Sequence, residues 1–137
     1  MAGTWPMTRP PGASTNAAEW RRSTVTMNGE ALPRRGEVWW VRVDKRRPAV
    51  VVQTDKVREP RVQTFLVVPL TSRLHLVDLP GNVRLDRRET GLPKTSVANV
   101  YDVQKVLRAD FVERLSALSS DRLSSVSDGL RLVLDLS

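Results

Sequence analysis

The chain has 137 residues, 22 basic against 15 acidic side chains, and a formal charge of +7. That length suits one domain with a modest core, which dimerisation would extend. The chain has no cysteine, which excludes disulfides, thiolate metal sites and a cysteine nucleophile; its single histidine, His75, excludes a histidine-built metal site or a histidine acid–base pair within one chain, so no metal or other cofactor is expected. No apolar run approaches the ~18 residues that span a membrane, and the N-terminus lacks the apolar stretch of a signal peptide. A soluble, cytoplasmic protein without a membrane partner is expected.

Residues 1–34 read as a disordered leader or extension, because Pro, Gly, Ser, Thr and Ala mix there without a helical or strand period. Met27 is a candidate internal start. From residue 35 the pattern changes. Gly36–Val43 (GEVWWVRV) reads as a strand with apolar area on both faces, so at least one of Trp39 and Trp40 belongs to a core or a dimer surface. Lys45–Arg47 reads as a tight basic connection. Pro48–Gln53 is a continuous β-branched run with proline confined to its start, the pattern of a buried strand. Arg61–Pro69 reads as a third strand, and Gly81–Leu85 and Ser96–Val106 supply further ones. Pro80-Gly81 and Thr90-Gly91-Leu92-Pro93 mark turns. Ala109–Leu115 fits one or two helical turns capped by Asp110. Ser119-Ser120-Asp121 is an N-cap cluster, followed at helical spacing by Leu123, Val126, Leu130, Val133 and Leu134 as one apolar stripe. Five or six short strands with a terminal helix predict a small twisted barrel or half-barrel.

The charge is unevenly placed. Residues 42–108 hold fourteen Lys/Arg and seven Asp/Glu, a net of +7, whereas residues 116–137 hold two basic and three acidic residues. Basic excess gathered in one part of a domain points to a polyanion. Arg73, Arg84, Arg87, Arg88, Lys94 and Lys105 are candidates for tracking a phosphate backbone, each alone an ordinary surface charge. Trp39, Trp40 and Tyr101 are candidates for base stacking. His75 reads as a surface-loop residue.

Three segments in order, RRGEVWWVRV, KRRPAVVVQTD and VVPLTSR, resemble the MazF/PemK toxins of bacterial toxin–antitoxin pairs. That family opens with a Gly-Glu-apolar-Trp strand, continues through a basic hairpin to Arg-Pro-apolar-Val-Val, and has a third strand leading into Pro-x-Thr-Ser. The segments PGNVRL, TGLPKTSVANVYDVQKV and GLRLVLDL fit its mycobacterial-type branch, and the resemblance spans about residues 34–136. It implies an α+β, mainly β fold: an SH3-like (CcdB/PemK-like) barrel with a C-terminal α-helix. It also implies a homodimer, a MazE-like antitoxin partner and metal-independent cleavage of single-stranded RNA. The family's catalytic arginine and threonine fall on Arg47 and Thr71, and the expected RNA contacts are Lys45, Arg46, Ser72, Arg73, Lys94 and Asp102. Two features depart from familiar members. Only Asp44-Lys45-Arg46 separates the first strand from Arg47, and Asp102 stands near a position that tends to be glutamine. Asp102 is also a candidate general base by its chemistry. The residues alone leave two other readings open: a non-catalytic nucleic-acid-binding barrel, and a CcdB-type toxin that inhibits gyrase.

Overall fold

The computed structural model describes residues 26–27, 30–57 and 59–136. Most of the expected leader, residues 1–25, lies outside the described residues. Two short strands, β1 (Thr26–Met27) and β2 (Glu30–Ala31), pair with each other. Leu32 and Pro33 are already buried, so the packed chain begins a little before residue 35.

The body is one antiparallel sheet. Its strands are β3 (Glu37–Arg42), β4 (Arg46–Val51), β5 (Thr64–Thr71), β6 (Val83–Leu85), β7 (Ser96–Ala98), β8 (Gln104–Leu107) and β9 (Phe111–Ala117). They run in the order β6-β7-β5-β4-β3-β9, with β8 also on β5. Strand β5 is the hub: Val67–Pro69 pair with β4, Thr64–Val67 with β8, and Leu70 and Thr71 with β7. One long strand shared among three partners curls the sheet into a half-barrel, as the sequence led us to expect.

Both faces of the central strands are apolar, because each face covers its own core. Val38, Trp40, Val50, Val68 and Leu70 face one cluster; Trp39, Val41, Ala49, Val51, Phe65, Val67 and Phe111 face the other. Both tryptophans are therefore core residues. Trp39 meets Phe111 edge-on with ring centroids 5.6 Å apart. The first cluster is closed by the C-terminal helix α2 (Ser120–Leu134), which lays Leu123, Val126, Leu130 and Val133 against it. Ser119 caps that helix through the Arg122 N–H. Leu134, expected in the same stripe, is exposed instead.

Three expectations need correction. Ala109–Leu115 is not helical: a short 3-10 turn at Arg108–Asp110 leads into β9. Phe111 and Leu115 are four residues apart, which fits one helix face, yet here they enter opposite cores. Register shifts between β3 and β9 make this possible, since bulges flip the side-chain alternation. Ser96–Val106 is two strands, parted by a turn in which the Asp102 N–H donates to the Asn99 carbonyl. Arg46 and Arg47 sit inside β4, so the hairpin loop is only Val43–Lys45. An unanticipated element is the one-turn helix α1 (Arg87–Thr90), held by a reciprocal Asp86/Glu89 capping box and ended by Gly91 at φ 77°.

Helix α2 reaches the sheet through a close backbone approach. A Cβ on Gly129 would lie 2.1 Å from the carbonyl oxygen of Gly81, in the turn before β6. Gly129→Ala therefore gains helix propensity but forces helix and turn apart. We expect a net loss of about 1–3 kcal/mol, read from the denaturant midpoint.

Candidate active site

The first hairpin places two adjacent arginines on opposite faces. Successive strand residues point to opposite sides. Arg46 lies on the Trp40 side, with its guanidinium carbon 4.9 Å from the ring centroid and Nη2 3.1 Å from Glu113 Oε1. It covers the end of the first core by cation–π and ion-pair contact. Arg47 pairs with Val41 and lies on the other face.

Thr71 ends β5. The β4–β5 register runs Val51 to Val67, Val50 to Val68 and Ala49 to Pro69. Carried two residues further, it sets Arg47 level with Thr71 on the same face. By that register, two residues 24 positions apart in sequence fall on one face of the sheet. Thr71 is only 4% exposed, and its Oγ1 accepts from the Arg73 N–H at 3.1 Å. That bond closes the turn into the 3-10 segment Leu74–Asp78 and orients the hydroxyl.

The sequence pattern did not single out Asp44. Its Oδ1 is 3.1 Å from Arg47 Nε and its Oδ2 is 3.2 Å from Arg47 Nη2, so two parallel N–H groups donate to two oxygens. The Lys45 N–H also donates to Asp44 Oδ1 at 2.8 Å. The side-chain hydrogen bond from Arg47 holds the Asp44 carboxyl below its ordinary pKa. An acid three residues before an arginine, inside a three-residue hairpin loop, is the signal that would have found it. Chemically, the carboxylate shows what this guanidinium edge accepts: a flat pair of anionic oxygens.

The remaining expected contacts scatter. Lys45 is exposed at the hairpin tip, while Ser72 and Arg73 are half-buried just after Thr71. Lys94 is exposed on the loop before β7. Asp102 lies in the turn between β7 and β8, both of which pair with β5 on the flank away from β4. Its carboxylate accepts from Gln104 Nε2 at 3.0 Å. His75 is exposed in the 3-10 segment. The Tyr101 hydroxyl donates to the Pro80 carbonyl at 2.6 Å, which fixes a turn. Arg46 thus lies on the face opposite Arg47, and Asp102 lies in the turn after β7, the strand that pairs with Thr71.

Sequence and structure comparisons agree with this architecture. A family model described as PemK-like, MazF-like toxin of type II toxin–antitoxin system matches residues 34–134. A Mycobacterium tuberculosis protein named endoribonuclease MazF6 is 34% identical over 110 residues, covering 74% of this chain and 96% of its own. Another from the same organism, named probable endoribonuclease MazF5, is 35% identical over 109 residues, covering 78% and 97%. The structure of the M. tuberculosis toxin MazF-mt6 superposes with a TM-score of 0.65 at 22% identity, covering 74% of this chain and 98% of that one. MazE–MazF from Deinococcus radiodurans gives 0.65 at 24% identity, covering 79% and 100%. With the family model spanning the whole sheet and its closing helix, the chain belongs to the PemK-like, MazF-like toxin family of type II toxin–antitoxin systems.

Proposed function

We propose that this chain is the endoribonuclease of its toxin–antitoxin pair and cuts single-stranded RNA at a short sequence, with Arg47 and Thr71 at the scissile phosphate. The observation that carries the reading is the Arg47 fork, which already grips two oxygens of an anion, on a strand that pairs with the strand ending in Thr71. The names of the curated relatives point the same way.

The reaction uses the RNA's own 2′-hydroxyl. Its oxygen attacks the adjacent phosphorus while the bond from phosphorus to the 5′-oxygen breaks. The products are a 2′,3′-cyclic phosphate and a 5′-hydroxyl. The proton that leaves the 2′-oxygen passes through a phosphoryl oxygen to the departing 5′-oxygen, so none is gained or lost overall. The protein's part is to hold the strand and stabilise the extra charge on the phosphoryl oxygens. Arg47 supplies a permanently charged fork for those oxygens. The Thr71 O–H donates to the same group. Always protonated, Arg47 acts as clamp and as hydrogen-bond donor to the leaving oxygen rather than as base. Lys45, Ser72, Arg73 and Lys94 guide the flanking backbone.

The biological assembly belongs to the same proposal. A second copy of the chain would form a homodimer in the cytoplasm. An acidic antitoxin segment, ordered on binding, would cover the Arg47 face and exclude RNA. The decisive experiment incubates the pure protein with a mixed RNA pool in EDTA and maps the fragment ends. Cleavage with 5′-hydroxyl and 2′,3′-cyclic phosphate ends is expected. A strict need for added magnesium, or 5′-phosphate products, contradicts the mechanism. Intact RNA that nevertheless binds supports the non-catalytic barrel.

A further inference from the structure

The clamp of the proposed site is closed on an anion that belongs to the protein. Arg47 turns its Nε–Nη2 edge to Asp44, with contacts of 3.1 and 3.2 Å to the two carboxylate oxygens. Two parallel N–H donors on two oxygens of one group is also how a guanidinium takes a phosphodiester. Asp44 sits at the centre of the three-residue loop Val43–Lys45, and the Lys45 N–H fixes one of its oxygens at 2.8 Å. The shortness of this hairpin is what delivers the carboxylate to the guanidinium: Asp44 in the loop is only three residues from Arg47, near the start of β4's pairing with β3.

We propose that Asp44 is a built-in stand-in for the RNA phosphate, masking the Arg47 fork in the free protein and swinging away when RNA binds. The inference rests on the reading of Arg47 as the phosphate clamp. The alternative role for an acid beside an arginine is to position it, and exposure argues against that role. The Arg47 side chain is 19% exposed, and that of Asp44 is 68% exposed. The covered member is held by its surroundings on the sheet, beside its strand partner Val41. The exposed member is the one able to leave. A carboxylate and a phosphate cannot share one guanidinium edge, because like charges at that separation repel. Binding is therefore an exchange, and the hairpin sets how much of the clamp's affinity RNA must recover.

The test measures binding of a 2′-O-methylated RNA pool, which cannot undergo 2′-oxygen attack, to four full-length proteins: wild type, Asp44→Asn, Arg47→Ala and the double variant. Removing the mask should tighten binding about two- to five-fold, the range of one exposed ion pair. The gain should disappear in the Arg47→Ala background. An equal gain in both backgrounds means that Asp44 acts only through general charge and overturns the mask. Unchanged or weaker binding by Asp44→Asn, in protein whose melting matches wild type, overturns it as well. Cleavage of unmodified RNA separates this inference from the one beneath it. If Arg47→Ala abolishes cleavage while Asp44→Asn leaves binding unchanged, the mask alone fails. If Arg47→Ala cleaves like wild type, the clamp fails and the mask with it.

Discussion

Replacing Arg47 by alanine lowers the single-turnover cleavage rate by about 100-fold or more, and Thr71→Ala has an effect of the same order. Losing one preorganised donor to a developing oxyanion commonly costs that much. Arg47→Lys is expected to fail with it. Lysine keeps the charge but offers a point donor on a flexible stem, whereas the present geometry uses two donors on one rigid edge. The two positions differ in what else they carry. Arg47 pairs with an exposed acid, so its removal leaves the sheet intact. The Thr71 oxygen also accepts the Arg73 N–H, so Thr71→Ala loosens the turn into the 3-10 segment as well. Thr71→Ser keeps the hydroxyl, both as donor and as acceptor of the Arg73 N–H, and should restore much of the rate. Near-wild-type rates in both alanine variants would move the active site elsewhere.

The largest loss of stability is expected at Glu37. This buried carboxylate accepts from Trp39 Nε1 at 2.9 Å and from the Arg34 N–H at 2.8 Å, and it faces Arg114 Nε at 3.0 Å. Arg114 is on β9 and itself mostly covered, so the pair ties the sheet's edge strand to β3 beneath Trp39. Glu37→Ala removes the counter-charge of a covered guanidinium and the acceptor of a buried indole N–H. Breaking a buried pair from one side costs about 3–5 kcal/mol. Glu37→Gln keeps an acceptor for the indole and should recover part of the loss. Denaturant unfolding monitored by tryptophan fluorescence reads both; a loss below about 1 kcal/mol for the alanine variant would show that the pair is not structural.

The frame of this site was legible because strand and helix periods are strong where burial is one-sided or complete. The apolar run after Arg47 and the Pro-Leu-Thr end of β5 located the two central strands. Helix α2 announced itself through Ser119 and the Leu123–Val133 spacing. What could not be read were relations set by the sheet. Three adjacent basic residues, Lys45–Arg47, look alike in sequence, yet alternation sends Arg46 to Trp40 and Glu113 and Arg47 to the opposite face. Because both faces of β4 are buried, no polar–apolar alternation marks which is which. The segment Phe111–Ala117 carries a helix-like spacing that bulges reinterpret as strand, and only pairing with β3 decides the matter. Asp102 was a candidate by its chemistry alone, and only the strand order shows that its turn links two strands that both pair with β5. Asp44 was passed over because no periodicity encodes side-chain reach within a tight loop; only its place three residues before Arg47 marks it.

The central claim is that the attacking group is the RNA's 2′-oxygen, beside a phosphate held by Arg47. Once a cut site has been mapped, it can be tested on an oligonucleotide with one 2′-deoxy nucleotide placed 5′ to the scissile phosphate. The account predicts binding within about two-fold of the all-RNA strand, since one 2′-hydroxyl supplies little of the affinity next to the phosphate contacts, and no detectable cleavage at that bond. Cleavage of the deoxy-substituted strand at the same phosphate would contradict it.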